Sequence, residues 1–279
     1  MDVEAAESDR RRSAEPGGFR PVSVIDGDPT SGLVILCDHA GNGLPPEYGN
    51  LGLPAAEFSR HIAFDPGAAP VARALAGRLA APAVLANFSR LLIDANRGID
   101  DPTLIMRLSD GTIVPGNAAV DGPEQQRRIG RFHAPYHDAI DAAIERAIKS
   151  GTAPALVSIH SFTPVWRGKT RPWHAGILWD ADPRLAVPLV AALRADTGLV
   201  IGDNEPYSGA LTNDTMHRHG TRRGLAHALI EVRQDLIGDE EGALDWAARL
   251  TAVLADLNRR GALHDIRHHG SRMGPVESI

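Results

Sequence analysis

The chain has 279 residues, of which 43% are hydrophobic and 23% are charged, and this suits one large globular domain. Its net charge of -6 gives no electrostatic reason to expect that it binds nucleic acid or an anionic membrane. The single cysteine, Cys37, excludes an internal disulfide framework, and no run reaches the roughly 18 consecutive apolar residues of a membrane span, so we expect a cytoplasmic protein.

The two ends of the chain differ from its body. Residues 1–18 lack the hydrophobic core that a secretory signal needs, and they are predicted to form a disordered N-terminal tail. Residues 266–279 are predicted to form a flexible C-terminal tail. The body at 19–265 contains no internal repeat and no low-complexity linker, so it is predicted to be a single domain.

Short apolar runs and helical patterns alternate along the body. Six runs indicate buried strands, at 33–38, 82–86, 90–94, 154–160, 175–179 and 225–232. Helical patterns lie between them, at 67–81, 123–149, 183–197 and 239–260. Pro135 is expected to kink the second helix or to mark a junction between two helices. The alternation predicts an α/β fold with a mixed, mainly parallel sheet that helices cover on both faces.

Two histidines and a glutamate lie at the ends of strand-like runs. His39 follows the first run, His160 closes the fourth, and Glu231 lies near the end of the sixth. Sites in such sheets form beyond the carboxyl ends of the strands, so we expect these side chains at one edge, walled by the polar loops 39–53, 98–122 and 161–174. A buried acid is costly unless it is paired or does chemistry. Two histidines and a glutamate are the parts of a mononuclear zinc hydrolase site.

Two polar segments provide further candidates. Asp65 precedes a predicted helix, so it either caps that helix or binds the metal or orients a ligand histidine. Arg90 begins a segment that Asp94, Asn96 and Arg97 end. A buried Arg–Asp pair is one interpretation of this segment. Bidentate capture of a substrate carboxylate at the mouth of a site is the other.

The remaining candidates lie in the second half of the chain and on the long helix. Asn204 and Tyr207 belong to the turn-rich loop 203–209, for which surface connection and substrate contact are both open. His219 belongs to a basic cluster that is expected to face solvent, and it is also a candidate for substrate contact. His133 and His137 stand four apart on one helical face, but the glutamate of a zincin motif is missing between them, so their part in the site is left open.

Six ordered blocks of this sequence resemble the N-formylglutamate amidohydrolase family. The blocks lie at 37–42, 61–68, 89–97, 158–162, 202–209 and 229–237, and the resemblance runs from about residue 30 to residue 260. The resemblance implies a fold like that of the zinc carboxypeptidases, a mixed α/β sheet with a metal at its carboxyl edge.

The resemblance also implies roles for individual residues. His39 and His160 are implied as ligands of Zn²⁺ and Glu231 as the general acid/base. Arg90, Asn96 and Arg97 are implied near the substrate carboxylate, with Arg97 counted among the catalytic residues. The carboxypeptidases use a His-x-x-Glu pair, whereas this chain has Asn42 three residues after His39. The third ligand therefore stays open, with Asp65 as the first candidate and water or Asn42 as the others.

The expected function is metal-dependent hydrolysis of the amide of an N-acyl amino acid, such as N-formylglutamate, to the free amino acid and formate, as in histidine degradation. Zinc would activate a water, Glu231 would move its proton, and Arg90 or Arg97 would anchor the substrate carboxylate. The partner is a small molecule, and the protein is expected to be a monomer or a homodimer. The alternatives are a hydrolase of another N-acyl amino acid or of a peptide, and a metal-free binding module for acidic amino acids.

Overall fold

The computed structural model, which describes residues 18–277, is built on one seven-stranded sheet. The strands that form it are β1 (Val22–Ile25), β2 (Leu33–Cys37), β3 (Ala83–Ala86), β6 (Ala155–Phe162), β9 (Ala175–Leu178), β10 (Ile201–Asp203) and β11 (His227–Arg233), in the spatial order β1-β3-β2-β6-β11-β9-β10. Two short hairpins stand apart from the sheet: β4 (Leu108–Ser109) with β5 (Thr112–Ile113), and β7 (Val165–Trp166) with β8 (Lys169–Thr170).

The sheet is mixed and mainly parallel. Strand β2 is parallel to β3 and β6, β6 is parallel to β11, and β9 is parallel to β10. Strand β1 runs antiparallel to β3, and β9 runs antiparallel to β11. The predicted α/β fold in a single domain is confirmed. The three central strands β2, β6 and β11 are adjacent, so residues near their carboxyl ends lie side by side.

Helices and packed loops cover both faces of the sheet. One face is covered by α1 (Ala68–Leu79), α4 (Pro183–Arg194) and α6 (Glu240–Leu257). The other is covered by α3 (Ala134–Lys149) and by loops, with the short helices α2 (Gly122–Arg128) and α5 (Thr215–His219) nearby. Side chains of a strand alternate between these two cores, which is why the strand runs are apolar throughout.

Several elements differ from the sequence prediction. The predicted strand at 90–94 is wrong: this segment is a buried turn whose backbone carbonyls accept hydrogen bonds from Asn117 and Arg128 side chains, so it needs no neighbouring strand. Strand β1 was not predicted, because it is a half-exposed edge strand without an apolar run. The helix predicted at 123–149 is divided into α2 and α3 by a π-helical turn at Ile129–His133, and Pro135 lies in the first turn of α3, at the junction between two helices that was one of its two expected roles.

The structure describes most of the C-terminal segment and little of the N-terminal one. The predicted tail at 1–18 lies outside the described residues except for Gly18. Near the other end, the Arg267 amide donates to the Gly224 carbonyl at 2.8 Å, and the Arg272 amide donates to the Asp180 carboxylate at 2.9 Å. The flexibility of residues 266–279 stays a prediction. Within residues 18–277, none of the helices has both the length and the apolar character that crossing a membrane requires.

Candidate active site

Three buried side chains from separate parts of the chain meet at the carboxyl edge of the central strands. His39 follows β2, His160 lies in β6, and Asp65 lies in the loop before α1, where its amide donates to the His39 carbonyl at 3.0 Å. Each offers a metal-ligating atom, and these atoms lie within 4.8 Å of one another. Helix α1 begins at Ala68 with Gly67 as its N-cap residue, so Asp65 does not cap it.

The donor atoms suit a small cation. One oxygen of Asp65, Oδ2, lies 2.9 Å from His160 Nδ1 and 3.4 Å from His39 Nδ1. In a tetrahedral zinc site with bonds of about 2.0–2.1 Å, ligand atoms lie roughly 3.3 Å apart. Three protein ligands with a fourth position for water is the arrangement typical of catalytic zinc. The residues present therefore fit a zinc ion.

Two further aspartates hold the outer nitrogens of both imidazoles. His39 Nε2 lies 2.6 Å from Asp94 Oδ1, and His160 Nε2 lies 2.8 Å from Asp38 Oδ2. Asp38 also accepts hydrogen bonds from Tyr136, Ser158 and Thr215. A carboxylate at the outer nitrogen accepts a hydrogen bond from Nε2–H, which keeps the proton on Nε2 and leaves Nδ1 free to bind a metal. Both imidazoles are thus oriented toward Asp65.

The charges around the cluster favour a bound cation. Burial raises the pKa of Asp65, but His39 and His160 beside it outweigh burial and hold that pKa well below its usual range. Burial lowers the pKa of His160, yet its hydrogen bonds to Asp38 and Asp65 raise it well above the usual value. The negative charge that stabilises a protonated imidazole here would also stabilise a metal ion.

Arg90 is engaged with this cluster rather than free in the pocket. Its guanidinium lies 2.9 Å from Asp94 Oδ2 and 3.4 Å from Asp65 Oδ1. This is the buried Arg–Asp pair that the sequence left open as one interpretation. Arg90 lines the pocket, but its charge is offset by two carboxylates of the protein.

Glu231 lies beside His160 on the same face of the sheet. The two residues are paired in register across β11 and β6, and on its other side Glu231 is paired with Gly176 of β9. A Cβ atom on Gly176 would lie only 1.8 Å from the Glu205 carbonyl oxygen, so glycine lets the loop after β10 pass closely over the sheet. Glu231 Oε2 is buried and has no hydrogen-bond partner among the described residues.

The environment of Glu231 tunes its acidity. Burial raises its pKa to about 7, with His160 acting in the opposite direction and Asp65 in the same one. A carboxyl group with a pKa near neutrality can both take up and release a proton at the working pH. Its position next to a candidate metal cluster therefore suits general acid–base chemistry.

The cluster and Glu231 open into a pocket of about 310 Å³. Two of the loops predicted to wall it do so: 98–122 contributes Met106 and Asp110, and 161–174 contributes Trp166. The Trp166 ring, on the β7–β8 hairpin, packs edge-on against His61 at 5.7 Å. From the loop 39–53, His39 alone lines the pocket. The loop after β10 forms another wall.

Not all of the candidate substrate residues line the pocket. Asn96, Arg97 and Tyr207 line the pocket. The hydrogen bonds of Arg97 go to uncharged oxygens, of Thr103 at 3.2 Å and of the Asn96 backbone at 2.8 Å. Asn204 does not line the pocket, because its side-chain oxygen accepts from the Trp179 and Gly209 amides and so shapes the loop.

His219 lies behind the pocket in a chain of buried imidazoles. Its Nε2 lies 2.8 Å from His137 Nδ1, and its Nδ1 lies 3.0 Å from Asp141. The expectation that His219 faces solvent is wrong, since its side chain is 0% exposed. His133 and His137 hydrogen-bond to the backbone carbonyls of Arg97 and Ala95. These histidines support the segment that carries Asn96 and Arg97, and they do not line the pocket.

Three carboxylates of the site have roles that the sequence did not predict: Asp94 was expected only as a partner of Arg90 in one interpretation, and Asp38 and Asp214 had no expected role. Asp38 and Asp94 orient the two histidines, and Asp214 lines the pocket wall. Burial raises the pKa of Asp214 to about 7. The signal for Asp38 was present, because an aspartate inside an apolar run next to His39 needs a partner. Asp214 gave no such signal, because an aspartate before a short helix is typical of an N-cap residue, and Asp214 does cap α5.

Comparison with known proteins gives a family and a fold. A family model described as N-formylglutamate amidohydrolase matches residues 31–238. A gene product of Agrobacterium tumefaciens with a known crystal structure is 34% identical, with a TM-score of 0.80 over 86% of this chain and 95% of that chain. N-formylglutamate amidohydrolase from Ralstonia eutropha JMP134 is 23% identical, with a TM-score of 0.58 over 86% of this chain and 99% of that chain, a likeness of fold. No curated protein sequence matches.

Proposed function

We propose a function from one premise: the chain belongs to the N-formylglutamate amidohydrolase family, and it is a hydrolase of carbon–nitrogen bonds other than peptide bonds. We propose that it is a zinc-dependent amidohydrolase that releases formate from N-formyl amino acids, of which N-formylglutamate is the one in the family's name. The observation that supports this most strongly is Glu231 beside the cluster of His39, Asp65 and His160, in one pocket.

In this proposal the metal is held by His39, Asp65 and His160. When bound there, zinc supplies a Lewis acid to the scissile carbonyl and lowers the pKa of a water toward about 7. Asp38 and Asp94 keep the two imidazoles in the tautomer that binds through Nδ1. Arg90 offsets part of the negative charge of Asp65 and Asp94.

Glu231 is proposed to move the proton. It accepts a proton from the attacking water through its carboxylate and returns it to the nitrogen of the leaving amino acid. A pKa of about 7, raised chiefly by burial, makes both transfers accessible near neutral pH. General acid–base catalysis of this kind contributes about 10²–10⁴-fold to a rate.

Arg97 is proposed to bind the substrate carboxylate. It lines the pocket with its hydrogen bonds made to uncharged oxygens, so its positive charge is available to an anion. Asn96 precedes it, and its side-chain oxygen accepts the Thr215 amide at 3.1 Å, which fixes this segment against α5. Anchoring the carboxylate orients the neighbouring amide toward Glu231.

Metal content and formate release test the proposed function together. The purified protein is expected to bind about one zinc ion and to release formate from N-formyl amino acids. Chelation is expected to abolish the activity, and added zinc is expected to restore it. Elemental analysis and a formate assay on the same samples measure both. A folded protein that binds less than about a tenth of an equivalent of zinc, even after reconstitution, would be the metal-free binding module instead.

Loss of an outer carboxylate is expected to weaken metal binding. Asp38→Asn and Asp94→Asn should each lower zinc affinity by about 10–100-fold, because the histidine is no longer held in its binding tautomer. Titration against a competing chelator measures this on folded protein. The matched control is Asp182→Asn, which alters a buried aspartate at the N-cap of α4 outside the pocket and should leave zinc affinity unchanged. Equal losses in all three variants would attribute the effect to folding.

The biological setting follows from the reaction. The products would be formate and a free amino acid. Such a reaction is a step of amino-acid breakdown, as in the histidine degradation that the sequence resemblance implies. The partner in this proposal is a small N-acyl amino acid. A cytoplasmic location and a monomeric or homodimeric state stay predictions from the sequence.

A further inference from the structure

One wall of the pocket next to Glu231 is apolar. Side chains two residues apart on a strand lie on the same face, so Leu229 stands beside Glu231 on β11. Leu229 is paired in register with Leu178 of the neighbouring strand β9. Both leucines line the pocket, together with Leu211 of the loop after β10 and Met216 of α5. A group bound beside Glu231 on this side meets hydrocarbon.

The pocket has little positive charge left for a second anionic group. Arg90 and Arg97 are its arginines, and no lysine lines it within residues 18–277. Arg90 is already paired with Asp65 and Asp94. Burial lowers the pKa of His61 and of His227, so neither imidazole supplies a full charge at neutral pH. Arg97 is then the one guanidinium among the lining residues with no carboxylate partner.

The other carboxyl groups of the pocket provide no cation for an anion to bind. Asp214 lines the pocket as an additional carboxyl group, and Asp110 lines it while paired with Arg60 at 3.0 Å. A substrate with two carboxylates would place one on Arg97 and would leave the other among leucines or against an acid. An unpaired charge in such a place is strongly disfavoured, whereas the transfer of an apolar side chain from water to this wall is favourable.

We propose that the preferred substrate is an N-formyl amino acid with a single carboxylate and an uncharged, apolar side chain, which packs on Leu178, Leu211, Met216 and Leu229. This inference rests on the proposed function, because it assumes that the amide bond is cleaved beside Glu231. It deepens that function by naming the substrate side chain that the pocket accepts.

A substrate panel tests the inference on the zinc-loaded full-length protein. We expect kcat/KM for N-formylmethionine and N-formylleucine to exceed that for N-formylglutamate by about 100-fold, the scale of discrimination that a few apolar contacts provide. N-formylglutamine, an uncharged analogue of N-formylglutamate, is expected to lie between them. A kcat/KM for N-formylglutamate equal to or above that for N-formylmethionine would overturn the inference and leave the proposed function standing. Hydrolysis of none of them would overturn the proposed function itself.

A change of charge in the apolar wall gives an independent test. Leu211 is partly exposed in a loop, so Leu211→Arg is expected to fold and to bring a cation to this wall. The ratio of kcat/KM for N-formylmethionine over N-formylglutamate should then fall at least about 10-fold, and high salt should reverse part of the change. The matched variant Leu211→Gln, which adds polarity without charge, should move the ratio much less. An unchanged ratio in folded Leu211→Arg would contradict the assignment of this wall to the substrate side chain.

Discussion

Replacing Glu231 with glutamine is expected to lower kcat by about 10²–10⁴-fold, the range that loss of a general base produces. Glutamine keeps the size of the side chain but cannot accept the proton of the attacking water and return it to the leaving nitrogen. KM is expected to change little, because we assign no substrate contact to Glu231. Steady-state hydrolysis of N-formyl amino acids by the zinc-loaded variant measures both constants.

Zinc content in the same samples identifies the cause of the loss. Glu231 lies beside His160 but is not part of the His39–Asp65–His160 cluster, so Glu231→Gln should retain its zinc. The control is Glu241→Gln, an exposed acid in the first turn of α6, which should keep both activity and metal. Undiminished turnover in Glu231→Gln would exclude the general base. Loss of zinc together with turnover would place Glu231 among the ligands.

Replacing Asp65 with asparagine is expected to have the second large effect, a loss of zinc affinity of more than about 100-fold. Loss of an outer carboxylate is already expected to lower zinc affinity by about 10–100-fold, and Asp65 faces both histidine Nδ1 atoms directly. Asparagine keeps the shape but removes the negative charge that holds a cation there. Titration with a competing chelator measures the affinity, and activity at saturating zinc should recover only in part.

The same experiment decides which residue is the third ligand. Asn42 was an alternative, and it stands three residues after His39. Its side chain is exposed and donates to the Phe58 carbonyl at 2.7 Å, away from the cluster. Asn42→Ala should therefore bind zinc as the unmodified protein does. A loss of affinity in Asn42→Ala with none in Asp65→Asn would reverse the assignment.

Local patterns predicted the strands of the sheet better than the segments between them. Apolar runs at 33–38, 154–160 and 225–232 became β2, β6 and β11, because a strand buried on both faces must be apolar throughout. The run at 90–94 has three apolar residues between Arg90 and Asp94, yet it is a turn. Its backbone is satisfied by side chains of Asn117 and Arg128, which lie far along the chain and leave no local signal.

Polar residues show the same division between local and long-range information. Arg90 had two interpretations from local sequence alone, and only the positions of Asp65 and Asp94 around its guanidinium distinguish them. His219 was expected at the surface because its neighbours in the chain are basic. The side chain is instead buried against His137, 82 residues away in the sequence. Burial of a polar group depends on such a partner, which composition does not reveal.

Local sequence patterns were enough to predict the α/β architecture, the common edge at which His39, His160 and Glu231 lie, and the resemblance to a hydrolase family. These properties follow from strand periodicity and from the rule that parallel strands present their carboxyl ends together. Three features became visible only in the folded chain: Asp65 contacts His160 across 95 residues, Asp38 and Asp94 orient the histidines, and the hydrogen bonds of Arg97 go to uncharged oxygens. The physical reason is that a side chain's charge state and orientation depend on atoms that only folding brings within a few ångströms.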